Sequence, residues 1–172
     1  MTRSPDSPNN LAVADSLKRA MRRLPSAVSL ITARDPETGL SAGLVASAVI
    51  PVSMEPPSML ISINRNASAH KVIVRAGKFC VNLLSIEQVE LVRTFADSKK
   101  RSQRFAGSGW SGAETHPYLP AACGNIFCET RTTIVFGTHE VFIGEVCDVR
   151  DSHCSGDPMC WVEGDFARAT PL

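Results

Sequence analysis

Side chains able to do chemistry are sparse in this chain of 172 residues, and they gather in three short stretches. The first, Ser41 to Asn64 (SAGLVASAVIPVSMEPPSMLISIN), joins two apolar strands through small and hydroxyl-bearing residues. Ala42, Gly43, Ala46, Ser47 and Ala48 leave room for a bound molecule to approach the backbone, and the Ser47 hydroxyl can bond a phosphate or a ring edge. Tight packing of a strand pair accounts for the same small residues. The second stretch, Asn64 to Ser68, is polar and short-chained, and Ser68 is placed to cap a helix running to Ala76. Strand end, hydroxyl cap and helix start suit an anion, although an ordinary cap needs no ligand. The third is the basic run Lys99, Lys100, Arg101 and Arg104, which suits phosphate or a solvated face.

Other chemistries are excluded by spacing. Gly107, Gly109 and Gly112 satisfy G-x-G-x-x-G, but that fingerprint works where a strand feeds a helix, and here a basic run precedes it and Thr115-His116-Pro117 follows. No G-x-S-x-G, H-E-x-x-H or Walker loop occurs, and the histidines at 70, 116, 139 and 153 are scattered. The cysteines at 80, 123, 128, 147, 154 and 160 contain no C-x-x-C pair, and a domain of this size needs no bridges, so free thiols are expected. His153, Cys154 and Cys160 match no tetrahedral metal spacing, and no metal is expected.

The elements that position these stretches read mostly as strands. Residues 1–10 form a flexible polar tail and residues 11–172 a single domain. A helix over 11–24 carries the stripe Leu17, Met21 and Leu24 and is closed by Pro25; further short helices are expected at 69–76 and 86–95. Strands are expected at 27–33, 59–63, 78–84, 123–136, 139–149 and 158–166, with a forced turn at Met54-Glu55-Pro56-Pro57. Between them, residues 96–122 read as irregular. The pattern lacks βα alternation, so a mainly β fold, an antiparallel barrel with peripheral helices, is expected. With 44% apolar and 20% charged residues and a net charge of +1, neither disorder nor a nucleic-acid partner is indicated. No apolar run reaches a membrane span, so a soluble, cytoplasmic protein is expected.

A binding cradle with few acid–base groups suits a reaction that a cofactor performs itself. From about Leu17 to Phe166 the chain resembles the flavin reductases of two-component monooxygenases, the group that includes the 4-hydroxyphenylacetate monooxygenase reductase. The likeness rests on an ordered series: MRRLPSAVSLITA, GLVASAVIPVSMEPPSMLISIN, KFCVNLLS, Arg104-Phe105, HPYL and GTHEVFIGEV. It implies a Greek-key-like FMN-binding split barrel, a homodimer, and electron transfer from NADH or NADPH to FMN or FAD for a separate monooxygenase. By position, the flavin would meet Val45, Ala46, Ser47 and Ala48, then Pro51 and Val52, with Cys80 and Asn82 on a strand beneath the ring. Its phosphate would lie near Asn66, Ala67 and Ser68, closed by Ser98, Lys99 and Arg104.

The same resemblance puts His139 beside the nicotinamide as an orienting group, with Gly164, Asp165 and Phe166 as a second nicotinamide-contacting segment. A histidine satisfying a strand-end carbonyl is the structural alternative for His139. Val45 stands where the family commonly has Thr, and Asp165 where it often has a basic residue. An acid there would disfavour a 2′-phosphate, which favours NADH over NADPH. The alternative function is a flavin- or haem-binding carrier or sensor without reductase activity.

Overall fold

The computed structural model describes residues 8–107, 109–112, 116–151, 154 and 156–172. Helix α1 (Pro8–Met21) leads into β1 (Ser26–Ala27), β2 (Ser29–Arg34), β3 (Ser41–Ala46), β4 (Val49–Met54) and β5 (Pro57–Asn64). Then come α2 (His70–Ala76), β6 (Lys78–Leu83), a 3₁₀ turn at Ile86–Gln88, α3 (Val89–Ala96) and a second 3₁₀ segment at Ser98–Gln103. The chain ends with β7 (Gly124–Phe136), β8 (His139–Asp151), β9 (Met159–Val162) and β10 (Asp165–Arg168).

Seven strands form one antiparallel sheet in the order β3-β2-β6-β7-β8-β5-β4. Its two edges, β3 and β4, are consecutive in the chain and separated only by Ser47 and Ala48. Two residues cannot span a flat seven-stranded sheet, so it must roll until its edges meet. The Ser62 N–H bonds the Ala48 carbonyl at 3.1 Å, tying this seam to β5. The prolines obey the same geometry: Pro51 lies on the edge strand β4, Pro57 begins β5, and the Glu55–Pro56 peptide is cis in the turn between them.

Strand β2 is apolar on both faces because each face has its own core. Ile31 joins Ile61, Ile63, Phe79 and Phe142 inside the barrel. Leu30 points the other way, to Leu84, Val92, Phe95 and Met159. Helix α3 presses closely on β3, where a Cβ at Gly43 would lie 2.8 Å from Phe95 Cε1. Gly43 is therefore small for packing, while Ser47 and Ala48 are exposed at the seam.

Several expectations change. The run 158–166 is not one strand: it breaks at Glu163-Gly164, both at positive φ, into the β9–β10 hairpin, which with β1 forms a separate three-stranded sheet. Ser68 does not cap α2, whose N-cap is Ala69 with no side-chain bond. Cys123 and Cys154 form a disulfide across a separation of 31 residues, so these two are not free thiols, and Cys154 is unavailable to a metal. His153, the third member of that trio with Cys160, lies outside the described residues. Among the described residues no cluster of metal ligands occurs, and no helix is long and apolar enough to cross a membrane.

Candidate functional site

The barrel seam opens into a polar cavity of about 590 Å³. One wall is Leu44 to Ala48, running off β3 through the seam, and Ser62 and Asn64 come from β5. Asn66, Ala67 and Ser68, Phe95 and Ala96, Arg101 and Arg104, and His139 complete it. The 64–68 loop is held from both ends. Asn64 Oδ1 accepts the Asn66 N–H at 2.9 Å, an Asx turn, and the Arg65 N–H bonds the Thr138 carbonyl at 2.9 Å, beside His139.

Arg104 is the most informative side chain of this wall. Its Nη1 donates to the Gly43 carbonyl at 3.2 Å, Nη2 to the Asp97 carbonyl at 3.4 Å, and the guanidinium lies 5.6 Å from the Phe95 ring centre. No carboxylate pairs with it among the described residues, and its buried Nε has no partner there. Burial, and then repulsion from Arg101, pull its pKa below the ordinary 12.5, yet a guanidinium stays charged at any working pH. A half-buried cation without a carboxylate partner, lining a cavity, suits an anion.

On the other side of Val45 and Ser47 lies a second, apolar cavity of about 530 Å³. Val28, Val45 and Val92 floor it, and Trp161 and Phe166 wall it, with their rings edge to face at 5.0 Å. Arg93, Ala96 and Asp97 rim it from α3. The small sheet that carries the aromatics is docked by the backbone bonds Val28 N–H to Met159 O (3.1 Å) and Met159 N–H to Leu84 O (2.9 Å).

The expected site residues therefore divide. Val45, Ala46, Ser47, Ala48, Asn66, Ala67, Ser68, Arg104 and His139 line the polar cavity, and Phe166 lines the apolar one. His139 and Phe166 do not share a cavity. Pro51 and Val52 line neither; they are exposed on edge strand β4. Ser98 and Lys99 are exposed and outside both cavities, as is Asp165, whose Oδ1 accepts the Phe166 N–H at 2.7 Å, and the half-buried Gly164 lines neither cavity.

Cys80 and Asn82 are fully buried and line neither cavity. Asn82 Nδ2 donates to the Leu30 carbonyl (2.9 Å) and Thr32 Oγ1 (3.0 Å), and its Oδ1 accepts the Leu119 N–H (2.8 Å) and Asn125 Nδ2 (3.0 Å). Burial, the largest influence on Cys80, pushes its thiol far above the ordinary 9.0, so it is inert. The sequence reading names Arg101 within the basic run but not among the site residues, and it does not single out Asp97, Arg93 or Trp161. The signal for Arg101 was present, since a 3₁₀ turn repeats every three residues and sets Arg101 on the face of Arg104.

Comparison with known proteins agrees with this geometry. The flavin reductase like domain model matches residues 21–170. The chain is 32% identical over 167 residues to the reductase component of a FADH2-dependent resorcinol hydroxylase from Rhizobium sp. (strain MTP-10005), covering 95% of this chain and 93% of that protein. It is 31% identical over 170 residues to an NADH:riboflavin 5′-phosphate oxidoreductase from Streptomyces pristinaespiralis, covering 96% and 94%. A flavin reductase domain protein from Arthrobacter sp. FB24 superposes with a TM-score of 0.83 at 25% identity, over 92% of this chain and 97% of that one. Family model, relatives and barrel agree: the chain belongs to the flavin reductase like family.

Proposed function

We propose that the protein oxidises a reduced nicotinamide dinucleotide, NADH in preference to NADPH, and hands the electrons to FMN or FAD for a separate monooxygenase. The residues present fit a flavin nucleotide: the Arg104 guanidinium with its spare buried Nε, Arg101, Ser68 and the 64–68 backbone suit a phosphate. Val45 to Ala48 offer a small-residue wall that a planar ring can approach. When bound, the flavin supplies the N5 acceptor for the hydride from nicotinamide C4. The chain's own part is to bind, to hold two rings face to face at the seam, and to keep water out.

The unpaired Arg104 in a ligand-sized cavity at the barrel seam carries this reading. His139 Nδ1 lies 2.9 Å from Thr138 Oγ1, which fixes the ring at the cavity wall as an orienting group. The relatives support catalysis over a carrier or sensor, since one is named an NADH:riboflavin 5′-phosphate oxidoreductase and another serves a hydroxylase. Use of NADH supports a cytoplasmic location. A homodimer is supported by apolar side chains that water would otherwise meet, Ile50, Val52 and Met54 on β4 and Ile134, Val135 and Phe136 ending β7, with Phe136 85% exposed.

Purified protein mixed with NADH and FMN or FAD should bleach the nicotinamide absorbance band catalytically. A carrier would leave NADH unconsumed, and that result ends the reductase reading. Light scattering of the eluted protein should give twice the chain mass.

A further inference from the structure

Two ligand-sized cavities meet at Val45, Ser47 and Ala96, and their chemistries differ sharply. The polar one, with Arg101 and Arg104, suits the phosphate-bearing flavin. Resting on that reading, the apolar cavity is left for the second reactant. Its walls, Trp161 and Phe166, suit a flat heteroaromatic ring, and its rim carries one charge without an ion-pair partner among the described residues. That charge is Asp97. Arg93, the other charged rim residue, is drawn to Glu90 at 2.5 Å, whereas among the described residues the Asp97 carboxylate is bonded only through Oδ1 to the Lys99 N–H at 2.8 Å.

We propose that the apolar cavity seats the adenosine half of the nicotinamide dinucleotide, with adenine against Trp161 and Phe166 and the ribose 2′-hydroxyl donating to Asp97. Carboxylate oxygens only accept, so Asp97 bonds a free 2′-hydroxyl and repels a 2′-phosphate. This makes Asp97, not Asp165, the residue that selects NADH over NADPH. Asp165 lines neither cavity and spends an oxygen on its own hairpin. The nicotinamide end then extends toward the shared wall at Val45 and Ser47, where the flavin ring edge is expected.

The chain has two tryptophans, so a Trp110→Phe variant reports on Trp161 alone. In that variant, adenosine 5′-monophosphate should quench emission saturably, and adenosine 2′-monophosphate should bind about tenfold more weakly or worse. Adding Asp97→Asn, which retains the N-cap acceptor for Lys99, should erase the gap between the two nucleotides. No quenching by the 5′-nucleotide, or equal binding of both with Asp97 intact, overturns the proposal. In turnover with Trp110 intact, the NADH-to-NADPH ratio of kcat/KM should fall about tenfold in Asp97→Asn. A ratio unchanged while flavin affinity drops would make Asp97 merely a cap and also overturn the proposal. Selective quenching in a protein that consumes no NADH would sustain the nucleoside seat while removing the reductase function.

Discussion

The Asn82 network and the seam cavity are built from the same kinds of side chain, Ser, Thr, Asn and backbone amides, yet one is architecture and the other a candidate site. Around Asn82 every strong valence is used: its four bonds reach β2, the 117–119 segment and Asn125, while Thr32 Oγ1 donates to the Pro117 carbonyl at 2.5 Å. At the seam, Arg104 keeps a buried donor unused and Ser47 and Ser68 border open volume. Spare valence beside empty space separates binding from packing; residue type does not.

The largest effect should come from the saturated side. Asn82→Ala strands the Leu119 N–H and removes the bonds to the Leu30 carbonyl and Thr32 Oγ1 in a dry interior, costing about 3–5 kcal/mol and about 6–20 °C in Tm. Flavin affinity of the folded protein should stay within about twofold. A variant of unchanged Tm that had lost flavin would put Asn82 in the site and dissolve the contrast.

Arg104→Gln probes the unsaturated side. Loss of charge-assisted bonds to phosphate should raise the FMN Kd by about 10- to 100-fold, with riboflavin binding little altered because it has no phosphate. Isothermal titration with both ligands checks this, and equal weakening of both would show that Arg104 only supports α3 and β3.

Between these extremes lies Asp35, buried like Asn82 but charged. Its pair with the Arg75 guanidinium, the largest cause, holds its carboxyl below the ordinary 3.8, helped by the Glu37 N–H at 3.0 Å. A depressed carboxyl contributes stability that is complete above its unfolded value and fades as pH falls through the folded one. Tm should therefore decline below about pH 4, and Asp35→Asn should be less stable than wild type at neutral pH and converge with it in acid. Part of the decline will survive the substitution, because Glu129, bonded by Lys78, is held low as well. Parallel Tm curves down to the lowest pH would show that the pair contributes nothing.

Much of this was legible before any coordinates. The strand pattern without βα alternation reads as an antiparallel barrel and the proline pair as a turn, and the resemblance puts 45–48 and 66–68 around one ligand, segments that here line one cavity. What stayed hidden depends on phase and distance. Cys80 and Asn82 share one face of β6, but only the fold decides whether that face meets a ligand or Thr32. Within the basic run, Arg101 and Arg104 line the polar cavity while Lys99 lies exposed outside it, a difference that charge counting misses. The Cys123–Cys154 bridge joins positions whose spacing announces nothing.

The smallest expected effect is at His139, and it tests whether an exposed wall residue belongs to the site at all. Among the described residues only Nδ1 has a partner, Thr138 Oγ1, which leaves Nε2 for a ligand. One hydrogen bond to a neutral group is worth about 1 kcal/mol, so His139→Ala should change the NADH KM or kcat about threefold to tenfold. An orienting role requires only a positioned donor, so His139→Gln should restore most of the loss and the pH profile of kcat should keep its shape. A general acid would behave otherwise: glutamine would fail to rescue and the pH profile of kcat would change shape. Wild-type kinetics in His139→Ala would place the residue with Thr138 as part of the hairpin turn, moving it to the architectural side of the contrast.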